Sequence, residues 1–328
     1  MSLSAIGRAR RRLCLALATS GVVASLWLLA GCAGTAPLPP RAARLNEDGA
    51  AALATGDLVT AEARLALALE YSPRFTEAWV NLGIVELRRG NLEAARRDFV
   101  KARDLNPDLP SPHHALGVLA DKRGRGAEAE RHYRAALAVD PGFAPARANL
   151  GRRLFERAAF DDAREQFLRL TEIDPSRVEG WAGLAEALLQ LGRDAEADDA
   201  IDRAHERFAE APEVTLLVAR QMMRRGSFAD AERTLTSLTT DGQASRRAAA
   251  WAWIAVARVA LDQAAAASDA ADEALAIDHD EPVATYAKAA ALLARGAQGD
   301  RDDAEVWRAR ARKLSPRSDA TRALDAPR

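Results

Sequence analysis

Small, apolar and helix-stopping positions along this chain recur every 34 residues. Ala61, Ala95, Ala129, Ala163, Ala197 and Ala231 keep that step without slippage. Gly56, Gly90 and Gly124 keep it too, as do Gly192 and Gly226, with Ala158 standing in the gap. Pro73, Pro107, Pro141 and Pro175 follow the same step. A fixed period of this length predicts a stack of supersecondary units, each too small to bury its own apolar face and each completed by its neighbour. Within a unit the spacing predicts two helices. Small residues such as Gly83 and Ala95 let them approach closely, and Phe99, Tyr133 and Phe167 fill the space between one hairpin and the next. Asn106-Pro107, Asp140-Pro141 and Asp174-Pro175 stop the second helix, because the residue before a proline is pushed out of the α region. The glycine between the two helices suits a left-handed C-terminal cap.

The set Trp79, Leu82, Gly83, Gly90, Ala95, Phe99, Ala102 and Pro107 resembles the tetratricopeptide repeat (TPR), a helix–turn–helix unit of this length. Leu116, Gly117, Gly124, Ala129, Tyr133, Ala136 and Pro141 form the next copy, and Leu150, Gly151, Ala163, Phe167 and Pro175 the one after. The resemblance implies an all-α superhelical solenoid of about eight such hairpins. Six in-phase repeats occupy residues 42–247, beginning near Ala42, Thr76, Pro110, Ala144, Val178 and Pro212. Two irregular ones fill 248–317, beginning near Ala248 and Pro282, and 318–328 form a tail. The register slips by two residues around Asp241–Arg247 and by three around Ala297–Gly299. A kink, or a division into two lobes, is expected at the slips. Arg308 stands in the last repeat where Phe99 stands in the second, as suits a terminal unit whose outer face meets water.

Ahead of the repeats, Arg8, Arg10, Arg11 and Arg12 form a basic head, and Leu13 to Ala30 is almost wholly apolar. That pattern reads as a targeting segment and is set apart from the fold. Leu29-Ala30-Gly31-Cys32 resembles a bacterial lipobox. The resemblance implies a lipoprotein signal peptide over 1–31, cleavage after Gly31, acylation of Cys32, and a lipidated tether over 32–41. Acyl chains on Cys32 would exceed the two signals that stable anchoring requires. Ala33, rather than an aspartate, resembles the outer-membrane sorting pattern, with the protein facing the periplasm. An uncleaved anchor helix, with Cys32 merely a small residue at its edge, is the other reading of the same run.

The formal net charge of −1 argues against nucleic acid as a partner, since phosphates require a basic face. Of the two cysteines, Cys14 lies in the segment expected to be removed and Cys32 is expected to be lipidated, so the mature chain has no disulfide. The sequence carries no glycine-rich phosphate loop, no His-Glu-x-x-His, no Gly-x-Ser-x-Gly and no Cys/His cluster. His113 and His114 are adjacent and point about 100° apart on a helix, which does not suit a shared metal. Asp161-Asp162, Asp198-Asp199 and Asp302-Asp303 are expected at the starts of second helices, complementing the helix dipole. No cofactor, metal or catalytic residue is therefore expected. An enzyme would need activity hidden in the irregular Asp241–Arg247 region.

In TPR proteins the first helix of each repeat lines a concave groove. Carried over by position, the groove would present Asn81, Ile84 and Arg88, then His114, Val118, Asp121 and Lys122, then Asn149, Arg152 and Phe155. Further along come Glu186, Arg220, Met223, Arg224 and Trp253. Asn81 and Asn149 occupy a position where related proteins hydrogen-bond a peptide backbone. Arg88, Lys122 and Arg152 make this stretch mildly basic, which suits an acidic extended segment or a free carboxylate. The plain alternative is an ordinary solvated helix face. Val80 and Ile84 stand where chaperone-binding TPR domains place polar contacts, so that clamp is not reproduced. Trp251 takes the packing position of Trp79 and Trp181, which leaves Trp253 expected in the groove as an exposed aromatic anchor. The expected partners are proteins or extended peptide segments. Architecture and anchor resemble pilus-assembly lipoproteins of the type IV and Flp tight-adherence kinds, where a TPR lipoprotein assists secretin assembly. An adaptor for peptidoglycan enzymes or outer-membrane protein assembly is the alternative.

Overall fold

The computed structural model describes residues 37–314, all of them in helices or short connections, with no strand among them. The helices form two compact units that divide after Leu105. The first unit holds two antiparallel hairpins: α1 (Pro40–Thr55) with α2 (Leu58–Tyr71), and α3 (Thr76–Arg88) with α4 (Leu92–Leu105). The second unit holds six. They are α5 (Pro110–Lys122) with α6 (Gly126–Val139), α7 (Ala144–Glu156) with α8 (Phe160–Ile173), α9 (Val178–Gln190) with α10 (Asp194–Phe208), α11 (Pro212–Arg224) with α12 (Phe228–Thr236), α13 (Ala244–Ala260) with α14 (Ala264–Ile277), and α15 (Pro282–Arg295) with α16 (Asp300–Leu314). The fold is the all-α TPR solenoid that the period predicts.

The packing follows from residue size. Ala61, Ala95, Ala129, Ala163, Ala197 and Ala231, one on each of the first six second helices, are fully buried. Opposite them, α3, α5 and α7 each offer a glycine to an aromatic ring of their own second helix, while Gly49 of α1 faces Leu65. A β-carbon at Gly83 would stand 2.5 Å from the Phe99 ring, and one at Gly117 would stand 2.5 Å from Tyr133. Only a bare backbone lets the ring lie flat against the helix. Phe99 and Tyr133 are among the largest fully enclosed side chains. Most helix N-termini lack a side-chain cap. Proline in the first turn of α1, α5, α7, α11 and α15 removes one of the unmatched amides instead. Trp79, Arg147 and Trp181 share one repeat position, and each donates to a proline carbonyl six residues back: Trp79 to Pro73 at 2.9 Å, Arg147 to Pro141, and Trp181 to Pro175 at 3.1 Å. The inter-repeat turn is thereby tied down.

The turn between the two helices of a hairpin requires a left-handed residue, and Gly90 at φ +83° supplies it. Ala158 (φ +62°) and Asp262 (φ +57°) hold the same conformation with a β-carbon, which is strained for the alanine.

Two expectations are corrected here. The extra residues around Asp241–Arg247 do not separate the lobes; the units divide after Leu105 instead. The insertion is taken up by a 3-10 turn at Ser237–Thr240 and by an early start to α13, which is longer than the other first helices at 17 residues. Arg247 donates to the Asp241 carbonyl at 2.7 Å, and Arg246 pairs with Glu213 of α11 at 2.5 Å, so the segment is fastened to its neighbours. Asp198 and Asp199 lie past the first turn of α10, whose leading acidic residues are Asp194 and Glu196. Asp198 is occupied by Arg224 and Arg225. Asp161, Asp162, Asp302 and Asp303 do lie in the first turns of α8 and α16.

Candidate functional site

Five of the six first helices of the second unit converge on a concave cavity of about 550 Å³. Its wall takes residues from α5, α7, α9, α11 and α13 in succession, with Phe167 of α8 and Leu238 of the 3-10 turn reaching in from behind. This ordering follows from the hairpin: the small-residue seam of each first helix turns towards its own second helix, and the opposite face is left to the groove.

His114, Asn149, Arg152 and Glu186 are brought together on this wall. The Asn149 amide lies 2.9 Å from Nε2 of His114, and the imidazole packs edge-on to Phe143 at 5.6 Å and beside Tyr133 at 5.9 Å. Burial, with the Arg177 charge in support, lowers the His114 pKa from 6.5 to about 4, so the ring is neutral. Asp121 faces inward, accepting the Tyr133 hydroxyl at 2.6 Å and pairing with Arg152 at 3.3 Å and Arg153 at 3.2 Å.

Other expected groove residues lie elsewhere. Asn81 and Arg88 belong to the first unit, where they fasten α3 to α1: Asn81 donates to Asn46 at 2.9 Å, and Arg88 donates to the Leu53 carbonyl. Lys122 is exposed at the end of α5, outside the cavity lining. Arg220 is buried and paired with Glu186, with its guanidinium 5.1 Å from the centre of the Trp253 ring. Trp253 itself is only 6% exposed and sits in a core cluster with Ile254 and Leu235. The expectation of an exposed aromatic anchor there is overturned: Arg220 and the neighbouring helices cover the ring. Cys32 lies outside the described residues.

Nor is the wall mildly basic. It carries Arg152, Arg177 and Arg246 against Glu179, Glu186 and Glu213. Arg177 meets Glu179 at 3.3 Å, Arg246 meets Glu213 at 2.5 Å, Glu186 is held by Arg220, and Arg152 is shared between Asp121 and Glu156. The charges are spent on one another, several of them across consecutive hairpins. Sequence reasoning missed the apolar part of the wall: Phe167, Leu216, Leu217 and Leu238. One signal for it was present, since Gly183 stands in register with Asn81 and Asn149. Among the described residues, no group of three or more His, Cys, Asp or Glu could hold a metal ion. No described helix is long and apolar enough to cross a membrane.

Comparison with known proteins agrees with the hairpin architecture. Tetratricopeptide-repeat family profiles match residues 46–110 and 122–182. No curated protein matches the chain by sequence. Among solved structures, the chain is similar to one in the APC/C hetero-tetramer Cut9–Hcn1, at a TM-score of 0.62 and 17% identity over 86% of this chain. It spans 55% of that chain's length. It is also similar to pilF of Pseudomonas aeruginosa, at 0.54 and 22%, covering 64% of this chain and 94% of that one. A third is PilW, described as a widely conserved type IV pilus biogenesis factor, at 0.53 and 20%, covering 62% and 94%. At these identities the likeness is one of fold.

Proposed function

We propose that this tetratricopeptide-repeat protein is a non-catalytic scaffold that holds an extended segment of another protein along the first helices of its second unit. The observation that carries the reading is the cavity itself: five consecutive first helices contribute to one concave wall. A surface continuous over that many hairpins suits a chain laid along it rather than a compact small molecule.

The finer reading places the scaffold in the bacterial envelope, lipid-anchored at Cys32 to the outer membrane and facing the periplasm, where it assists pilus and secretin assembly. The lipobox-like Leu29-Ala30-Gly31-Cys32 and the following Ala33 support the anchor. The likeness in fold to PilW, a type IV pilus biogenesis factor, is compatible with the role.

Two experiments test these levels separately. Cross-linking in intact native cells, followed by capture through a carboxy-terminal tag and mass spectrometry, should yield a secretin or pilus component. Capture of peptidoglycan hydrolases or barrel-assembly proteins instead would move the protein to the adaptor class. Metabolic labelling with an alkyne fatty acid should mark the wild type and not the Cys32→Ser variant; an unlabelled wild type would overturn the anchor.

A further inference from the structure

The apolar part of the groove has a specific origin. Where α3 and α7 carry Asn81 and Asn149, α9 carries Gly183. A β-carbon at Gly183 would stand 2.5 Å from the Phe167 ring, and one at Gly151 on the preceding first helix would stand 2.8 Å from it. Phe167 is therefore slotted between two glycines on successive first helices. With no side chain at 183 to cover it, the ring forms part of the cavity lining. One repeat earlier the slot is closed: Asn149 stands in the equivalent place, and Tyr133 directs its hydroxyl to Asp121 at 2.6 Å. Beside Phe167 the floor continues through Leu216, Leu238, Ala148 and Ala182.

Around this floor the charges are mutually satisfied, as described. An acidic ligand group entering the cavity would meet Glu179, Glu186 and Glu213 alongside the arginines, and would have to break an existing pair to gain one. A basic group faces the mirror-image problem. Desolvating a charge without a partner is costly, whereas an uncharged apolar side chain gains by burial and disturbs no pair. A volume near 550 Å³ exceeds that of one side chain and leaves room for the flanking backbone of the bound segment. We infer that the cavity over Gly183 and Phe167 is an anchor pocket for one bulky, uncharged apolar side chain, of the leucine, methionine or phenylalanine class, carried by the bound protein segment. This rests on the groove reading above and replaces charge with apolar burial as the basis of partner choice.

The test is selection of short random peptides displayed on phage against the full chain in detergent micelles, with affinities then measured on variants. Enriched peptides should share a single bulky apolar residue, and changing it to alanine should weaken binding by roughly tenfold, or about 1.4 kcal/mol. Leu216→Asp, which places a charge on the floor, and Ala148→Leu, which narrows the cavity over Phe167 without adding polarity, should each weaken binding by a similar factor. Lys122→Ala, outside the lining, should leave it within about twofold. Circular dichroism verifies that each variant is folded, and Ala148→Leu keeps the test alive should Leu216→Asp unfold. Acidic or basic peptides with no apolar residue, weakened by the cavity variants, would overturn the anchor while leaving the groove reading standing. No enrichment, or peptides indifferent to every cavity variant, would overturn the groove reading itself.

Discussion

The side-chain amide of Asn149 meets Nε2 of His114 at 2.9 Å, one hairpin away, so the imidazole accepts there and carries its proton on Nδ1. Burial disfavours the charged imidazole, with the Arg177 charge in support, and the folded pKa falls from 6.5 to about 4. The unfolded chain thus binds the proton more readily, and the His114 contribution to stability is lost as pH falls from 6.5 towards 4. Replacing His114 with asparagine should flatten that part of the pH dependence. Urea midpoints recorded across this window check it; an unchanged slope would place the titration elsewhere.

Glu281 acts with the opposite sign. Burial raises its pKa from 4.5 to about 7, although it caps α15 by accepting the Ala284 amide. The folded chain holds this proton more tightly than the unfolded chain, so stability falls as pH rises from 4.5 to 7. Glu281→Gln should therefore lose more stability on acidification than the wild type, because the His114 effect is then unopposed. The same midpoints, measured on this variant, decide the sign.

Trp253→Ala should behave as a core truncation. The ring is 6% exposed and packed beneath Arg220. A loss of about 3–5 kcal/mol is expected, seen as a lowered thermal midpoint of the helical signal. Retention of wild-type stability would show the ring to be dispensable to the core.

Gly83→Ala should destabilise by about 1–3 kcal/mol, because the new methyl would stand 2.5 Å from the enclosed Phe99 ring. Combining it with Phe99→Leu, which makes room, should give a smaller loss than the sum of the two single changes. A double-mutant cycle reads this directly, and strict additivity would deny the contact.

Ala158→Gly should leave the fold intact and raise stability by up to about 1 kcal/mol. The left-handed strain at φ +62° is relieved, offset in part by the greater freedom of glycine in the unfolded chain. Thermal denaturation of the two proteins is the check, and a destabilised variant would show the alanine methyl to be packed.

Much of this was legible in residue type alone. Six alanines on one step, with aromatic residues set against glycines, leave a helical hairpin stack as the arrangement that buries them all. The site was legible only in part. Counting along the period places His114, Asn149, Arg152 and Glu186 on the inner face, and they do meet at the cavity. The count fails at Trp253, because the long Arg220 side chain of the preceding first helix lies over the ring. It fails for charge as well. Residues 26 to 35 positions apart, such as Arg220 with Glu186 and Arg224 with Asp198, neutralise one another, and such pairings depend on side-chain reach rather than on period.

The fastening of one first helix to the next has an evolutionary corollary. His114 needs Asn149, Glu186 needs Arg220, and Glu213 needs Arg246, each drawn from the following hairpin. Excising residues 144–177 would keep the alanine step unbroken, yet it would set His114 against Gly183 in place of Asn149 and strip the amide from its ring. The hairpins are alike in backbone but not exchangeable as cassettes. Gain or loss of a whole repeat in such an ancestry would demand matched changes on both flanks, which holds the order of the hairpins fixed.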